Sequence, residues 1–300
     1  MKKTYWMSLF LVLLFLPPIG KAEDLGTQLR KAIEGKAATV GVAVIFNGSE
    51  LVTVNDMYRY PMMSTFKFHQ ALSVVDYINR KEKTLATEIL VKQSDLKTEM
   101  YSPMRDANRK GNFYITIGDL LKYSLIDSDN YACDILFEHI GGPKTTDKYV
   151  RGLGIEDFSI TQTEREMHES TDNVWLNWTK PSAAVLLLET FLQNPMFDKS
   201  QKLFLERAMA DANTGKDKLK AGLPNDVLLG HKTGSSDRNE YGIKVADNDM
   251  GFVVLPNGQY YTIAVFVMNS QESDKTNARL IANISKIVYN YFVTHYKDKD

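Results

Sequence analysis

Strand-forming sequence lies near both ends of this chain and helix-forming sequence lies between, an order that few folds satisfy. Near the start, Thr39 to Phe46 is β-branched and apolar, and Asn47-Gly48 turns it back into Leu51 to Val54, a hairpin signal. Near the end, Val227 to Lys232, Met250 to Leu255 and Tyr260 to Val267 read as strands, with Pro256-Asn257-Gly258 turning between the last two. Strands so far apart can share one sheet if the chain between them packs as an inserted unit. That stretch supplies helices. Ser64 to Tyr77 is amphipathic, Thr116 to Leu125 opens on a Thr-x-x-Asp start, and Asn130 to Ile140 stops at Gly141-Gly142. Pro181 to Phe191 starts on proline, where the missing N–H costs nothing, and Lys199 to Met209 follows. Asp24 to Ile33 and Asn277 to Tyr296 add a helix at each end. The expected architecture is α/β plus all-α. Residues 23–58 and 215–300 form a discontinuous α/β domain, and 59–214 form an inserted helical domain. Within the insert, 161–179 is weakly periodic, and a loop of that length in a compact domain is usually functional or disordered.

Residues 1–22 read as an export signal. Lys2 and Lys3 precede the apolar run Trp6 to Leu16, Pro17-Pro18 break it, and Gly20-Lys21-Ala22 offers cleavage after Ala22. The run is shorter than the roughly 20 residues a spanning helix needs, so a periplasmic or secreted protein without a stable membrane anchor is expected. The formal net charge is −1 and no basic stripe stands out, so nucleic acid is not an expected partner. Cys133 is the only cysteine, which excludes an internal disulfide, a cysteine-rich zinc site and a lipid-anchoring cysteine. It lies in the apolar stretch Tyr131 to Ile140 and reads as a core residue. The histidines, at 69, 139, 168, 231 and 295, show no metal-ligand spacing, so neither metal nor cofactor is expected. A monomer is expected.

Three short motifs carry chemistry. In Ser64-Thr65-Phe66-Lys67 the first and last residues share a helix face, so the lysine can reach the hydroxyl and help remove its proton. Ser128-Asp129-Asn130 falls between two helices, where alone it would be an ordinary cap. Lys232-Thr233-Gly234 ends a strand; the cation and hydroxyl can hold a carboxylate, and glycine lets a ligand approach the backbone. Each is common alone. In this order they resemble the signature of class A serine β-lactamases and penicillin-binding proteins. The resemblance runs from about Ala38 to the last helix. It is most similar to the class A branch holding the PER and VEB enzymes, on Tyr60-Pro61-Met62-Met63, Tyr101-Ser102-Pro103 and Asn177-Trp178-Thr179.

That resemblance implies the β-lactamase and penicillin-binding-protein fold, an antiparallel sheet flanked by helices, and small β-lactams as partners. It implies Ser64 as nucleophile, Lys67 as an aid to proton removal and Ser128 as relay to the departing nitrogen. Asn130 would bind the acyl-amide side chain, and Lys232, Thr233 and Ser235 the substrate carboxylate. Gly234 would let substrate approach the strand, Tyr101 would wall the cleft, and the N–H groups of Ser64 and Ser235 would form the oxyanion hole. Counting back from Pro181 puts Glu164 in the place of the deacylating base, with Glu166 as the competing carboxylate. The choice of acylation base, Lys67 or Glu164 through water, stays open.

The loop departs from the commonest pattern of the resembled class. His168 stands for a usual asparagine, Gln162 and Asn177 for a usual Arg–Asp pair, and Asp134 for an asparagine behind the loop. An Asp134–His168 pair is expected to re-anchor the loop. Without the usual pin the loop can take another path and leave room for bulky acyl side chains, and the resembled branch implies a preference for cephalosporins, oxyimino ones included. Where many relatives place an arginine beyond the Lys-Thr-Gly, this chain has Tyr241, and Lys218 is the expected substitute. The nearest rival is a penicillin-binding D,D-peptidase, against which Glu164 and its loop argue. A membrane-coupled β-lactam sensor would need a spanning transducer. A general esterase would need a Gly-x-Ser-x-Gly elbow, and the bulky neighbours of Ser64 do not make one.

Overall fold

The structure is a computed structural model and describes residues 23–96, 100–193 and 198–295. The signal-like segment 1–22 lies outside the described residues. In chain order the elements are α1 (Leu25–Ile33), β1 (Thr39–Phe46), β2 (Glu50–Val54), β3 (Tyr60–Pro61), α2 (Phe66–Arg80), β4 (Glu88–Val91), α3 (Pro103–Ala107), β5 (Phe113–Thr116), α4 (Ile117–Ile126) and α5 (Asn130–Ile140). They continue with α6 (Pro143–Gly152), β6 (Phe158–Ser159), α7 (Glu164–Glu169), β7 (Trp178–Thr179), α8 (Pro181–Gln193), α9 (Lys199–Ala210), β8 (Leu228–Ser235), β9 (Lys244–Val254), β10 (Tyr260–Ser270) and α10 (Asp274–His295).

The strands from the two ends meet in one sheet of order β2-β1-β10-β9-β8, antiparallel throughout, as the sequence order required. Asn47 and Gly48 both take positive φ, 46° and 75°, the conformation a tight Asn-Gly hairpin demands. Successive residues of β1 face opposite sides of the sheet. Val42 and Val44 join Leu29, Val265, Ile281 and Ile284 in the layer under α1 and α10. Ala43 and Ile45 face the other core with Ala264, Phe266 and the apolar residues of α2, α4, α5 and α8. Cys133 is fully buried in that second core.

Helix starts follow their caps. Thr116 accepts from Asp119 N at the start of α4, and Asp129 from Ala132 N at the start of α5, each worth about 1 kcal/mol. The 161–179 stretch, expected as irregular chain, contains α7 and β7, and β7 pairs with β3 and β6. Helix α6 and the pair β4–β5 were also not legible beforehand. Among the described residues no helix is long and apolar enough to cross a membrane.

Candidate active site

Ser64 sits in a 3-10 turn, Met63–Thr65, that runs straight into α2. Asn248 of β9 holds this turn to the sheet by donating to Pro61 O at 2.7 Å and Met62 O at 3.2 Å. Lys67 lies one helical turn on and is fully buried. Its Nζ donates to Ser128 O and Asn130 Oδ1, each at 2.7 Å, and pairs with Glu164 Oε1 at 2.9 Å. Three acceptors match the three donors of an ammonium, the condition under which a buried charge is tolerated. Ser64 Oγ donates to the same Glu164 Oε1 at 3.1 Å.

Ser128 occupies the turn between α4 and α5 with φ 60°, a left-handed conformation uncommon for a non-glycine residue. Its Oγ lies 2.9 Å from Lys232 Nζ and 3.5 Å from Lys67 Nζ, so it bridges the two lysines. Lys232 is fully buried within β8, three residues before its end, and burial, reinforced by the positive charge of Lys67, pulls its pKa down to about 7. Asp129 turns away from the lysines. It accepts from Ser102 Oγ, Met104 N and Ala132 N, fastening the 101–104 segment to α5. Asn130 N donates to Tyr101 O at 3.1 Å, while Tyr101 itself is 59% exposed.

The end of β8 explains its own residues. A Cβ on Gly234 would lie 2.5 Å from Met62 O and 3.1 Å from Ser64 N, so only glycine lets this strand touch the Ser64 turn. Thr233 Oγ1 meets Thr214 Oγ1 at 2.7 Å, and Ser235 is exposed at the strand end.

Glu164 is the first residue of α7 and is 2% exposed. Asp134, on α5, accepts from the N–H groups of Glu164 at 2.8 Å and Arg165 at 3.0 Å, an anion on a helix N-terminus. Glu166 is consumed elsewhere: its carboxylate closes a capping box with Thr163, and only Glu164 faces Ser64. A cleft of about 180 Å³ opens beside Glu164, lined by Met63, Met167 and His168 and by Ser236, Asp237 and Arg238 from the turn after β8.

The model of the β-lactamase enzyme family matches residues 24–292, nearly all of the described chain. The chain belongs to this family. Its place is class A, among PER/VEB-like enzymes. It is 34% identical to the β-lactamase VEB-1 of Pseudomonas aeruginosa over 96% of this chain and 96% of that one. It is 33% identical to the extended-spectrum β-lactamase PER-1 of the same species, over 88% and 86%. A class A β-lactamase structure from Bacteroides cellulosilyticus superposes with a TM-score of 0.87 at 47% identity, covering 90% of this chain and 97% of that one. The protein is thus a class A serine β-lactamase, a hydrolase of β-lactams.

Two expectations about this β-lactamase need correction. Asp134 does not pair with His168. Both Asp134 oxygens are spent on the start of α7, and His168 Nδ1 meets Glu164 O, 2.7 Å away within its own helix. Asp134 therefore anchors the loop directly through the backbone of Glu164. Asn177, not an ion pair, closes the loop's neck: its Oδ1 accepts from Thr161 N and Gln162 N at 2.8 and 2.9 Å, and its Nδ2 donates to Gln162 O at 2.9 Å. Gln162 takes part through its main chain.

Tyr241 does not stand at the strand end. It is 78% exposed on the turn before β9, and the residue opposite Ser235 in the sheet is Asp247. Lys218, the expected substitute, sits beside that strand end on the far side of Asp247. It is buried and paired with Asp247 at 2.5 Å. Asn248 and Asp247 carried no motif signal; only the register of β8 with β9 brings them to the site.

Proposed function

We propose that this β-lactamase works through an acyl-enzyme on Ser64, is exported, and favours cephalosporins. The observation that carries the mechanism is one oxygen, Glu164 Oε1, within hydrogen-bond reach of both Ser64 Oγ and Lys67 Nζ. Serine needs a base before it can attack. With its donors taken by three acceptors, Lys67 is better placed to position and neutralise than to accept, which favours Glu164 as the group that receives the Ser64 proton. Ser64 then attacks the lactam carbonyl, and the N–H groups of Ser64 and Ser235 hold the oxyanion. Ser128 passes its proton to the departing nitrogen and is replenished through Lys67 with the proton Glu164 took, which leaves Glu164 a carboxylate again. Asn130 orients the acyl amide, Tyr101 borders the cleft, and Lys232, Thr233 and Ser235 hold the carboxylate. Glu164 finally directs water onto the ester.

The preference for cephalosporins is supported by the open cleft beside His168 and by the extended-spectrum name of the PER-1 relative. Export is supported by the charge and hydropathy pattern of residues 1–22. The test is Glu164→Gln mixed with nitrocefin and followed by intact-protein mass. Hydrolysis at least 10²-fold slower is expected, with adduct formation slowed as well; an adduct that forms at the unmodified rate and then persists would restrict Glu164 to deacylation, and unimpaired turnover would remove Glu164 from the mechanism. Stoichiometric binding without turnover by the unmodified protein would instead favour the peptidase reading. Kinetics with one penicillin, one early cephalosporin and one oxyimino cephalosporin test the preference, and penicillins far outpacing both cephalosporins would overturn it.

A further inference from the structure

We propose that Asp247 limits how strongly the end of β8 holds the substrate carboxylate, by keeping Lys218 and the Ser235 hydroxyl on a single oxygen. The inference rests on the reading of Lys232, Thr233 and Ser235 as the carboxylate subsite. Asp247 lies on β9 directly across from Ser235 and is 3% exposed. Its Oδ1 accepts from Lys218 Nζ at 2.5 Å and from Ser235 Oγ at 3.2 Å. The remaining bond of Lys218 goes to Asn248 O at 3.3 Å.

Two consequences follow for an incoming carboxylate. A hydroxyl has one proton, so Ser235 cannot donate to the substrate while it donates to Asp247. The Lys218 charge, close enough to disfavour the charged form of Lys232, is matched by a carboxylate and adds little net attraction. A substrate carboxylate at Ser235 therefore meets Lys232 and, behind the hydroxyl, a Lys218–Asp247 pair that is neutral as a whole and whose cation Asp247 cancels. Asp247 is a positioning residue: it acts through Ser235 and Lys218, and its signature is a change in KM rather than in kcat.

The test uses nitrocefin and its methyl ester, which share a nucleus and differ in the carboxylate. Asp247→Asn keeps the size and one acceptor oxygen but removes the charge. It is expected to lower KM for the acid about tenfold, the scale of one like charge some 6 Å away in a half-solvated cleft, and to leave KM for the ester where it was. Lys218→Met leaves Asp247 unmatched and should raise KM for the acid by about tenfold, again without moving the ester. The double variant Lys218→Met, Asp247→Leu replaces the buried pair by apolar groups and guards against a folding failure of the single variants. Its KM for the acid should return to within about threefold of the starting value, since the pair it removes is neutral. An acid KM that does not fall in a folded Asp247→Asn protein, or a double variant with KM raised tenfold, would overturn the role of Asp247. Equal KM for acid and ester in the unmodified enzyme would instead overturn the carboxylate subsite itself.

Discussion

Asp134→Asn should separate stability from turnover. Asp134 is buried at 9% exposure, and burial, with the negative charge of Glu164 second, pushes its pKa up to about 6. Unfolded, the same carboxyl titrates near 4. The folded pKa is the higher one, so the stability this group contributes is full below about pH 4 and is lost as pH rises through 6. The loss is about two pH units, or about 3 kcal/mol. An amide cannot ionise and has nearly the hydrogen-bonding capacity of the protonated acid, so the variant escapes the loss. It faces Arg165 N–H with an NH₂ group that cannot accept, which takes back about 1 kcal/mol. The variant should therefore be about 2 kcal/mol more stable at pH 7.5, melting about 4–6 °C higher, with the advantage gone by pH 4. Turnover should move the other way. With one of two anchors lost, the first turn of α7 holds Glu164 less firmly, and the acyl-enzyme should accumulate in a mixing experiment with nitrocefin. Melting curves at pH 4 and 7.5 decide the energetic half. A variant that melts below the unmodified protein at pH 7.5 would mean that the paired N–H bonds outweigh burial and charge, and the reasoning would fail.

Two further predictions concern residues in and beneath the site. His69 is fully buried on α2 with neither ring nitrogen in a well-formed hydrogen bond, and burial, offset only in part by the Thr65 backbone, pulls its pKa down to about 3. Its folded pKa is the lower one, so its contribution is full above about pH 6.5 and fades as pH falls towards 3, by about 3 kcal/mol at pH 4. His69→Leu should flatten that acid limb in melts between pH 7 and 4, and an unchanged limb would exclude His69 as its source. Gly234→Ala should cut kcat/KM at least 10²-fold at a stability cost of about 1–3 kcal/mol, because its Cβ would push against Met62 O and Ser64 N. Steady-state kinetics beside a melt measure both, and near-normal turnover would show that the strand can move off the Ser64 turn at little cost.

The parts of the site that were legible in the sequence are held by single elements. Ser64 opens a helix, Ser128 fills an inter-helix turn and Lys232 lies in the second half of β8, and each of these positions has a local signal. The six-residue α7 is too short for a periodic pattern, so its stretch read as loop. A signal was nonetheless present: Thr163 and Glu166 have the spacing of a capping box. Applying the rule used at Thr116 and Asp119 would have assigned Glu166 to the helix start and left Glu164 as the free carboxylate.

The two misplaced contacts failed for a different reason. The proposed partner of Asp134 was a nearby histidine, but both carboxylate oxygens found backbone N–H groups, which carry no identity a sequence can display. Tyr241 was reached by counting along a chain whose turn length was unknown, and the count missed Asp247, which stands opposite Ser235. Pairing across a sheet depends on register, and register depends on the hydrophobic pattern of both strands together. At Asp134 a carboxylate stands where the resembled class usually has an asparagine, and opposite Ser235 a second carboxylate, Asp247, is paired with Lys218. The charge near the cleft is therefore not the sum of its signature residues: Asp134 and Asp247 add two buried carboxylates that those signatures omit.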